Sequence, residues 1–286
     1  MTAIQRGAAF VLAGEMLLAV MGAIIKHLSP DIPSAQLVFL RNILGLTIIG
    51  PLLIGREGVA GLKTRHLRFH LMRAVIGVSA MYCYYLSLEK LVLTEAVLLK
   101  LTAPFFIPVI ALLWLKESTS RLIWLTIAVG FAGVLVILDP ASADLNDYLF
   151  VAAGLAGALL GATAKVTIRR MGVAEPSARI VFYFGLFGTL ITAPAAAAVW
   201  VPPGLSTWLW MGGLALCATL AQMLITTAYR IAPAGQIGQF TYSSVIFAAL
   251  LGWLFFMEPV TGSQVVGCAL IVGAGLFNLR QRRAPA

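Results

Sequence analysis

Charged residues, prolines and glycines divide the chain into ten apolar runs, at 7–28, 34–55, 69–88, 92–115, 122–138, 148–168, 179–200, 206–229, 234–257 and 262–279. Their lengths cluster around the 20 or so residues that a helix needs to cross a bilayer, so each is read as a membrane-spanning helix. The first run follows Arg6, as in a signal peptide, but it is too long for one and lacks an evident small-residue cleavage site.

Charge alternates between the connections. Arg56, Lys63, Arg65 and Arg68 follow span two, Lys116 and Arg121 span four, and Arg169, Arg170 and Arg179 span six. Arg230 follows span eight, and the tail carries Arg280, Arg282 and Arg283. The intervening connections hold Lys26, Lys90, the acidic set Asp139, Asp144 and Asp147, an uncharged Val201-Pro202-Pro203-Gly204, and Glu258. Because cytoplasmic loops are enriched in Lys and Arg, both termini and the basic loops are expected on the cytoplasmic side.

An internal repeat supports the count. Glu117 and Glu258, which close spans four and nine, stand 141 residues apart, and at that shift Tyr82–Leu88 faces Met223–Tyr229. Gly22-Ala23-Ile24-Ile25-Lys26 faces Gly161-Ala162-Thr163-Ala164-Lys165 at a shift of 139. The expected fold is an all-α integral membrane protein of ten helices in two five-helix halves, 1–140 and 141–286. An odd number of spans per half inverts the second half relative to the first, as in many secondary transporters.

Composition narrows the function. Of the 286 residues, 60% are hydrophobic, 27 are Gly and only 11% are charged, too little polar surface to coat a water-soluble body. Ten spans leave about 86 residues for tails and loops, so neither a soluble domain nor a nucleotide-binding module fits. A net charge of +9 would suggest nucleic acid in a soluble protein; in short loops it records topology instead, and no nucleic-acid partner is expected. Cys83, Cys217 and Cys268 each lie inside an apolar run without metal or disulfide spacing, and read as packing residues. Metalloprotease, P-loop and nucleophile-elbow motifs are absent, and His27, His66 and His70 lie outside or near membrane boundaries, so no catalytic residue, metal or cofactor is expected. An integral membrane enzyme would need clustered acids or histidines, and the one cluster, Asp139, Asp144 and Asp147, reads as a solvated loop. Transport would draw on substrate, ion or proton gradients.

The Gly22…Lys26 and Gly161…Lys165 pairs, Phe39-Leu40-Arg41, Ser87-Leu88 and Ala228-Tyr229 carry a resemblance. So do Glu117 and Glu258, with the small residues Gly133 and Ala274 at a fixed distance beyond them. Over nearly the whole chain the sequence resembles the drug/metabolite transporter superfamily, in its ten-helix EamA-type branch, and within it looks most like YddG-type amino-acid exporters of bacterial inner membranes. The second half has Phe182-Tyr183-Phe184 where the first has Phe39-Leu40-Arg41, so the family's Arg occurs once. The resemblance implies export of small amphipathic metabolites, amino acids including aromatic ones first, by alternating access; nucleosides, sugars or cationic drugs are the alternative cargo. The partners expected are a small-molecule substrate and the bilayer, and a monomer suffices.

The candidate site follows from interrupted helices, which carry midplane binding sites in inverted-repeat transporters. Pro104 and Pro108 should kink span four, while its repeat partner carries Gly235, Gly238, Gln239, Thr241 and Ser244. A rise of 1.5 Å per residue puts Lys100 about 12 Å deep, where an unpaired ammonium costs at least about 2.5 kcal/mol. Glu15 lies at a comparable depth. Lys100 therefore reads either as a contact for a substrate carboxylate or as a static ion-pair partner of Glu15, and Glu15 also reads as a coupling residue. Tyr82, with Ser79 one turn below, offers an aromatic face and a hydroxyl, or else simple packing; Tyr84 and Tyr85 complete the cluster. Arg41 is expected to tether backbone carbonyls. Lys26 and Lys165 are expected to reach the interface as anchors, and the six tryptophans to form its aromatic belt. The small residues of Gly157-Ala158-Leu159-Leu160-Gly161 are expected at a tight helix contact.

Overall fold

A computed structural model describes residues 2–28, 30–88, 99–117, 119–138, 148–256 and 261–281, and the long regular elements among them are helical. Helix α1 spans Ala3–Leu28, α2 Ser34–Glu57 and α3 Leu67–Leu88. Helix α4, Ala103–Ile110, runs into a π-type turn over Ala111–Leu115, and α5 covers Arg121–Leu138. Then come α6 (Tyr148–Met171), α7 (Ser177–Ala198) and α8 (Leu205–Ile231). The stretch after them is broken into α9 (Ala234–Ile237), a 3-10 segment (Gly238–Tyr242) and α10 (Ser243–Phe256), and α11 (Gly262–Gln281) closes the chain.

Six stretches, in α1, α2, α6, α7, α8 and across 234–255, are long and apolar enough to cross a membrane; shorter apolar helices lie at Ala103–Leu115, Arg121–Val136 and Gly262–Phe277. Their outer faces are apolar. Leu71, Val75, Tyr82 and Leu86 form one exposed stripe on α3, and Leu205, Leu209, Leu216 and Leu220 another on α8. Water would penalise such surface, whereas lipid tails do not, which is the signature of a multi-pass membrane protein. Trp200, Trp208, Trp210 and Trp253 are exposed near helix ends, as belt residues should be. The acidic loop at 139–147, Lys90 and Glu258 lie outside the described residues, as do the side chains of Lys26 and Tyr85.

Prolines set several of the boundaries. Pro33, Pro176 and Pro233 immediately precede α2, α7 and α9; each fixes its own φ and disfavours helix in the residue before it, so the chain turns and a helix starts. One offset of 143 relates Pro33 to Pro176, Ser34 to Ser177, and the in-helix Pro51 to Pro194.

Helix packing follows the same relation. The closest partners are α1 with α8, α3 with α6, α2 with α7 and α5 with α11; further pairs are α2 with α8, α3 with α7, α1 with α10 and α4 with α6. Exchanging the first five helical segments for their counterparts in the second half maps this set onto itself. Tight crossings use small residues. A Cβ on Gly133 would lie 2.6 Å from the Gly267 carbonyl oxygen of α11, and one on Gly157 would lie 3.2 Å from the Ala80 oxygen of α3. Gly161, in contrast, faces open space, so only one end of the expected small-residue pair is used for close approach.

Buried polar ties fasten the loops. Gln36 Nε2 donates to the Val201 oxygen at 2.7 Å while Val201 N donates to Gln36 Oε1 at 2.8 Å, holding the α7–α8 connection against the start of α2. At the offset of 143, Arg179 makes the equivalent tie, its Nε donating to the Gly61 oxygen in the α2–α3 connection. This second tie is richer. Glu175, 1% exposed, accepts from Thr64 Oγ1 and from Arg179 Nη1 (3.1 Å), with His70 Nε2 at 3.5 Å. Arg179 Nη2 also reaches Glu57 at 3.4 Å, and the Tyr183 hydroxyl donates to the Leu62 oxygen at 2.7 Å.

Candidate functional site

The two interrupted stretches meet inside the bundle. In the first, Leu101 and Thr102 form a turn ahead of α4, with Thr102 N and Oγ1 both donating to the Leu99 oxygen, at 3.0 and 2.6 Å. The break therefore falls just after Lys100, not at the prolines as expected. Pro104 occupies the first turn of α4, where a missing N–H costs nothing, and only Pro108 sits within the helix. In the second stretch α9 gives way to the 3-10 segment at Gly238, whose backbone is ordinary right-handed (φ −57°, ψ −36°). What Gly235 and Gly238 provide is room: a Cβ on Gly235 would come 2.9 Å from Thr119 Oγ1 and 3.4 Å from Pro108 Cα, and one on Gly238 3.0 Å from Ile107 Cδ1. The small residues of one broken stretch thus admit the other.

Around this crossing lies a charged group. Glu15 on α1 is 5% exposed and within electrostatic reach of both Lys100 and Lys165. Lys165 Nζ, on α6, donates to Thr241 Oγ1 at 3.1 Å, and the Thr241 hydroxyl is placed to donate in turn to the Glu15 carboxylate. Each ammonium also stands over an aromatic ring: Lys100 Nζ is 5.1 Å from the Tyr84 centroid and Lys165 Nζ 5.7 Å from that of Tyr229. The Lys100 side chain keeps accessible surface.

Two arginines extend the group. Arg73 on α3 is 7% exposed, with its guanidinium carbon 4.3 Å from the centroid of Phe184, and lies within reach of Lys165 and Arg41. Arg73 Nε meets no hydrogen-bond partner among the described residues. Arg41 on α2 approaches Met81 Sδ at 3.6 Å and lines a small polar cleft with Asn42, Phe184, Thr219 and Gln222. Phe184 is the residue that faces Arg41 across the repeat. Arg41 is thus matched by Arg73, supplied from α3 onto the phenylalanine at the equivalent position in the second half.

Several expected site residues are brought together in two sets: Glu15, Lys100 and Thr241 lie within electrostatic or hydrogen-bonding reach of one another, while Pro108 approaches Gly235 and Ile107 approaches Gly238. Lys165 joins the first set, a correction to its reading as an interface anchor. Some 9 Å of helix separate it from Met171, and an acceptor and a carboxylate hold it inside. Tyr82 is 38% exposed on the outward stripe, and Tyr84 takes the position over Lys100. Ser79, one turn below Tyr82, is half-buried. Gln239 is buried with both amide atoms unpartnered among the described residues, and together with Tyr242 lines a separate apolar cavity of about 130 Å³ among Leu12, Gly130, Ile271 and Gly275. Ser244 is half-buried in the first turn of α10.

Comparison with known proteins agrees with this architecture. A crystal structure superposes with a TM-score of 0.85, covering 98% of this chain and 99% of that one at 20% identity, a likeness that carries the fold alone. The pseudopaline exporter CntI of Pseudomonas aeruginosa UCBPP-PA14 is 29% identical over 98% of both chains. A riboflavin transporter of Brucella anthropi is 29% identical over 87% of this chain and 89% of its own, and an S-adenosylmethionine uptake transporter of Rickettsia bellii is 24% identical over 88% and 86%. These relatives are named as transporters of small metabolites and not as enzymes, and their cargoes differ. The profile of the EamA-like transporter family matches residues 5–139 and 148–280, and the chain belongs to that family of membrane transporters.

Proposed function

We propose that the chain is a secondary transporter that exports small amphipathic metabolites of the amino-acid type across a bacterial inner membrane. It crosses ten times, with both termini cytoplasmic, as two inverted halves at 1–140 and 141–286. One observation carries the reading: buried Glu15 and Thr241 gather with Lys100 and Lys165 beside the breaks of the two interrupted stretches. Charges are kept at such depth, against a cost of about 2.5–3.5 kcal/mol each, where they face a pathway or one another. The reciprocal packing of α1 on α8 and α3 on α6 supports two related halves able to rock about this group. Lys100 would take the substrate carboxylate, and the Tyr84 ring would border the apolar part. The first-matched relative is named as an exporter, which favours outward flux.

Purified protein in liposomes loaded with labelled amino acids, nucleosides, sugars, riboflavin or a cationic dye tests the reading. Efflux of at least one amino-acid-type compound above that of empty vesicles is expected. Flux confined to the other classes would overturn the amino-acid reading, and no flux for any class would overturn the transport reading.

A further inference from the structure

At the membrane surface, away from the Glu15–Lys100 group, we infer that the α2–α3 connection docks the headgroup of an anionic phospholipid. The inference needs only a chain that spans a membrane and is independent of the proposed cargo. Arg56 in the last turn of α2, Lys63 and Arg65 in the connection and Arg68 in the first turn of α3 are all exposed. The carboxylate on this stretch, Glu57, is already engaged by Arg179 Nη2 at 3.4 Å. Apolar side chains stand exposed among these cations: Val59 at the start of a 3-10 turn (Val59–Leu62), Leu67 at the start of α3, and Leu52 and Ile54 near the end of α2. Cations interleaved with exposed apolar residues at helix ends suit the boundary between phosphate headgroups and acyl chains.

The connection is also held in one shape. Gly58 (φ 65°) turns the chain through the left-handed region, Arg179 Nε and the Tyr183 hydroxyl donate to the Gly61 and Leu62 oxygens, and Thr64 Oγ1 donates to Glu175. A corner fixed in this way loses less conformational freedom on binding than a loose basic tail would. The repeat supplies a comparison. At the offset of 143 the four cationic positions become Val199, Ser206, Trp208 and Met211, around a connection that Gln36 ties down in the same manner. The fold therefore builds this corner without cations. Topology also places exposed cations at Lys116, Arg121 and Arg170, but those three are divided between two connections, whereas four gather at this one.

Native mass spectrometry of the full chain in a neutral detergent tests the inference with dioleoylphosphatidylglycerol, dioleoylphosphatidylcholine and glycerol 3-phosphate. Phosphatidylglycerol should bind at least tenfold more tightly than either of the others. The triple variant Lys63→Gln, Arg65→Gln, Arg68→Gln should weaken it at least tenfold. The matched triple Lys116→Gln, Arg121→Gln, Arg170→Gln removes the same charge elsewhere and should weaken it less than twofold. Detergent melting confirms that each variant is folded. If a triple is not, Lys63→Gln against Lys116→Gln carries the same comparison, with a loss of at least twofold expected in the former alone. Equal losses in the two sets overturn the inference, because attraction would then follow net charge and not this corner. Phosphatidylcholine bound as tightly as phosphatidylglycerol also overturns it, and glycerol 3-phosphate bound as tightly would assign the corner to a soluble phosphate instead of a lipid. None of these results bears on transport, which the efflux panel decides.

Discussion

Gly133→Ala probes the packing that holds the last helices of the two halves together. Its new Cβ would lie 2.6 Å from the Gly267 carbonyl oxygen, 2.9 Å from Ile271 Cγ1 and 3.1 Å from Leu270 Cβ. An ordinary carbon–oxygen contact is about 3.3 Å, so α5 and α11 must part by about 0.7 Å at this point. The obstacle is backbone, which no rotamer change relieves. Overpacking of a tight site costs about 1–3 kcal/mol, and three simultaneous overlaps put this case near the top of that range. Alanine recovers about 1 kcal/mol of helix propensity, leaving a net loss of about 2 kcal/mol, or a melting point lower by about 4–8 °C. Gly273→Ala on α11 is the control, because its Cβ meets nothing within 4 Å and should leave the melting point unchanged or slightly raised. Melting of both proteins in one detergent, followed by the amount remaining monodisperse, reads the difference. A Gly133→Ala protein as stable as the Gly273→Ala protein would refute the close approach of α5 and α11.

The remaining tests address the polar ties and the aromatic residues. Glu175→Gln removes a buried carboxylate from Arg179 and His70, and should cost about 3–5 kcal/mol in thermal or denaturant unfolding. Glu117→Gln takes the charge from the acceptor of a 2.7 Å bond from Arg169 Nε whose partners are nearly a quarter exposed, so the loss should be only about 1 kcal/mol in the same measurement. Tyr84→Leu should reduce counterflow severalfold by removing the ring beneath Lys100, whereas Tyr82→Leu, on the outward stripe, should leave it within twofold of wild type.

Much of the architecture is legible in the sequence because lipid leaves a strong trace there: runs of apolar residues bounded by charge correspond to α1, α2, α5, α6, α7, α8 and α11 to within a few residues. The crossing of the broken stretches is legible too, since Pro108 opposite Gly235 and Gly238 marks a place where backbones approach. Lys165 is harder to place, because distance to a helix end suggests an anchor while Glu15 and Thr241, which hold it inside, come from α1 and the 3-10 segment and are not local in sequence. Arg73 is obscured for a related reason. It lies two turns into α3, directly after a basic loop, and blends into the positive-inside pattern, although a charge that far into an apolar run is itself the signal. Tyr82 and Tyr84 cannot be told apart without knowing which face of α3 meets α6. The clearest repeat, Pro33-Ser34 and Pro51 against Pro176-Ser177 and Pro194, lies at an offset of 143, whereas the glutamates and the Gly…Lys pairs align at 141 and 139.

The central claim is that Lys100 contacts the transported molecule. Counterflow of labelled substrate by Lys100→Ala, normalised to folded protein in the vesicles, tests it most directly. The account predicts less than a tenth of the wild-type rate with an unchanged melting point. Wild-type flux from Lys100→Ala would contradict it, as would a protein that fails to fold until Glu15→Gln is added, since Lys100 would then serve only to neutralise Glu15.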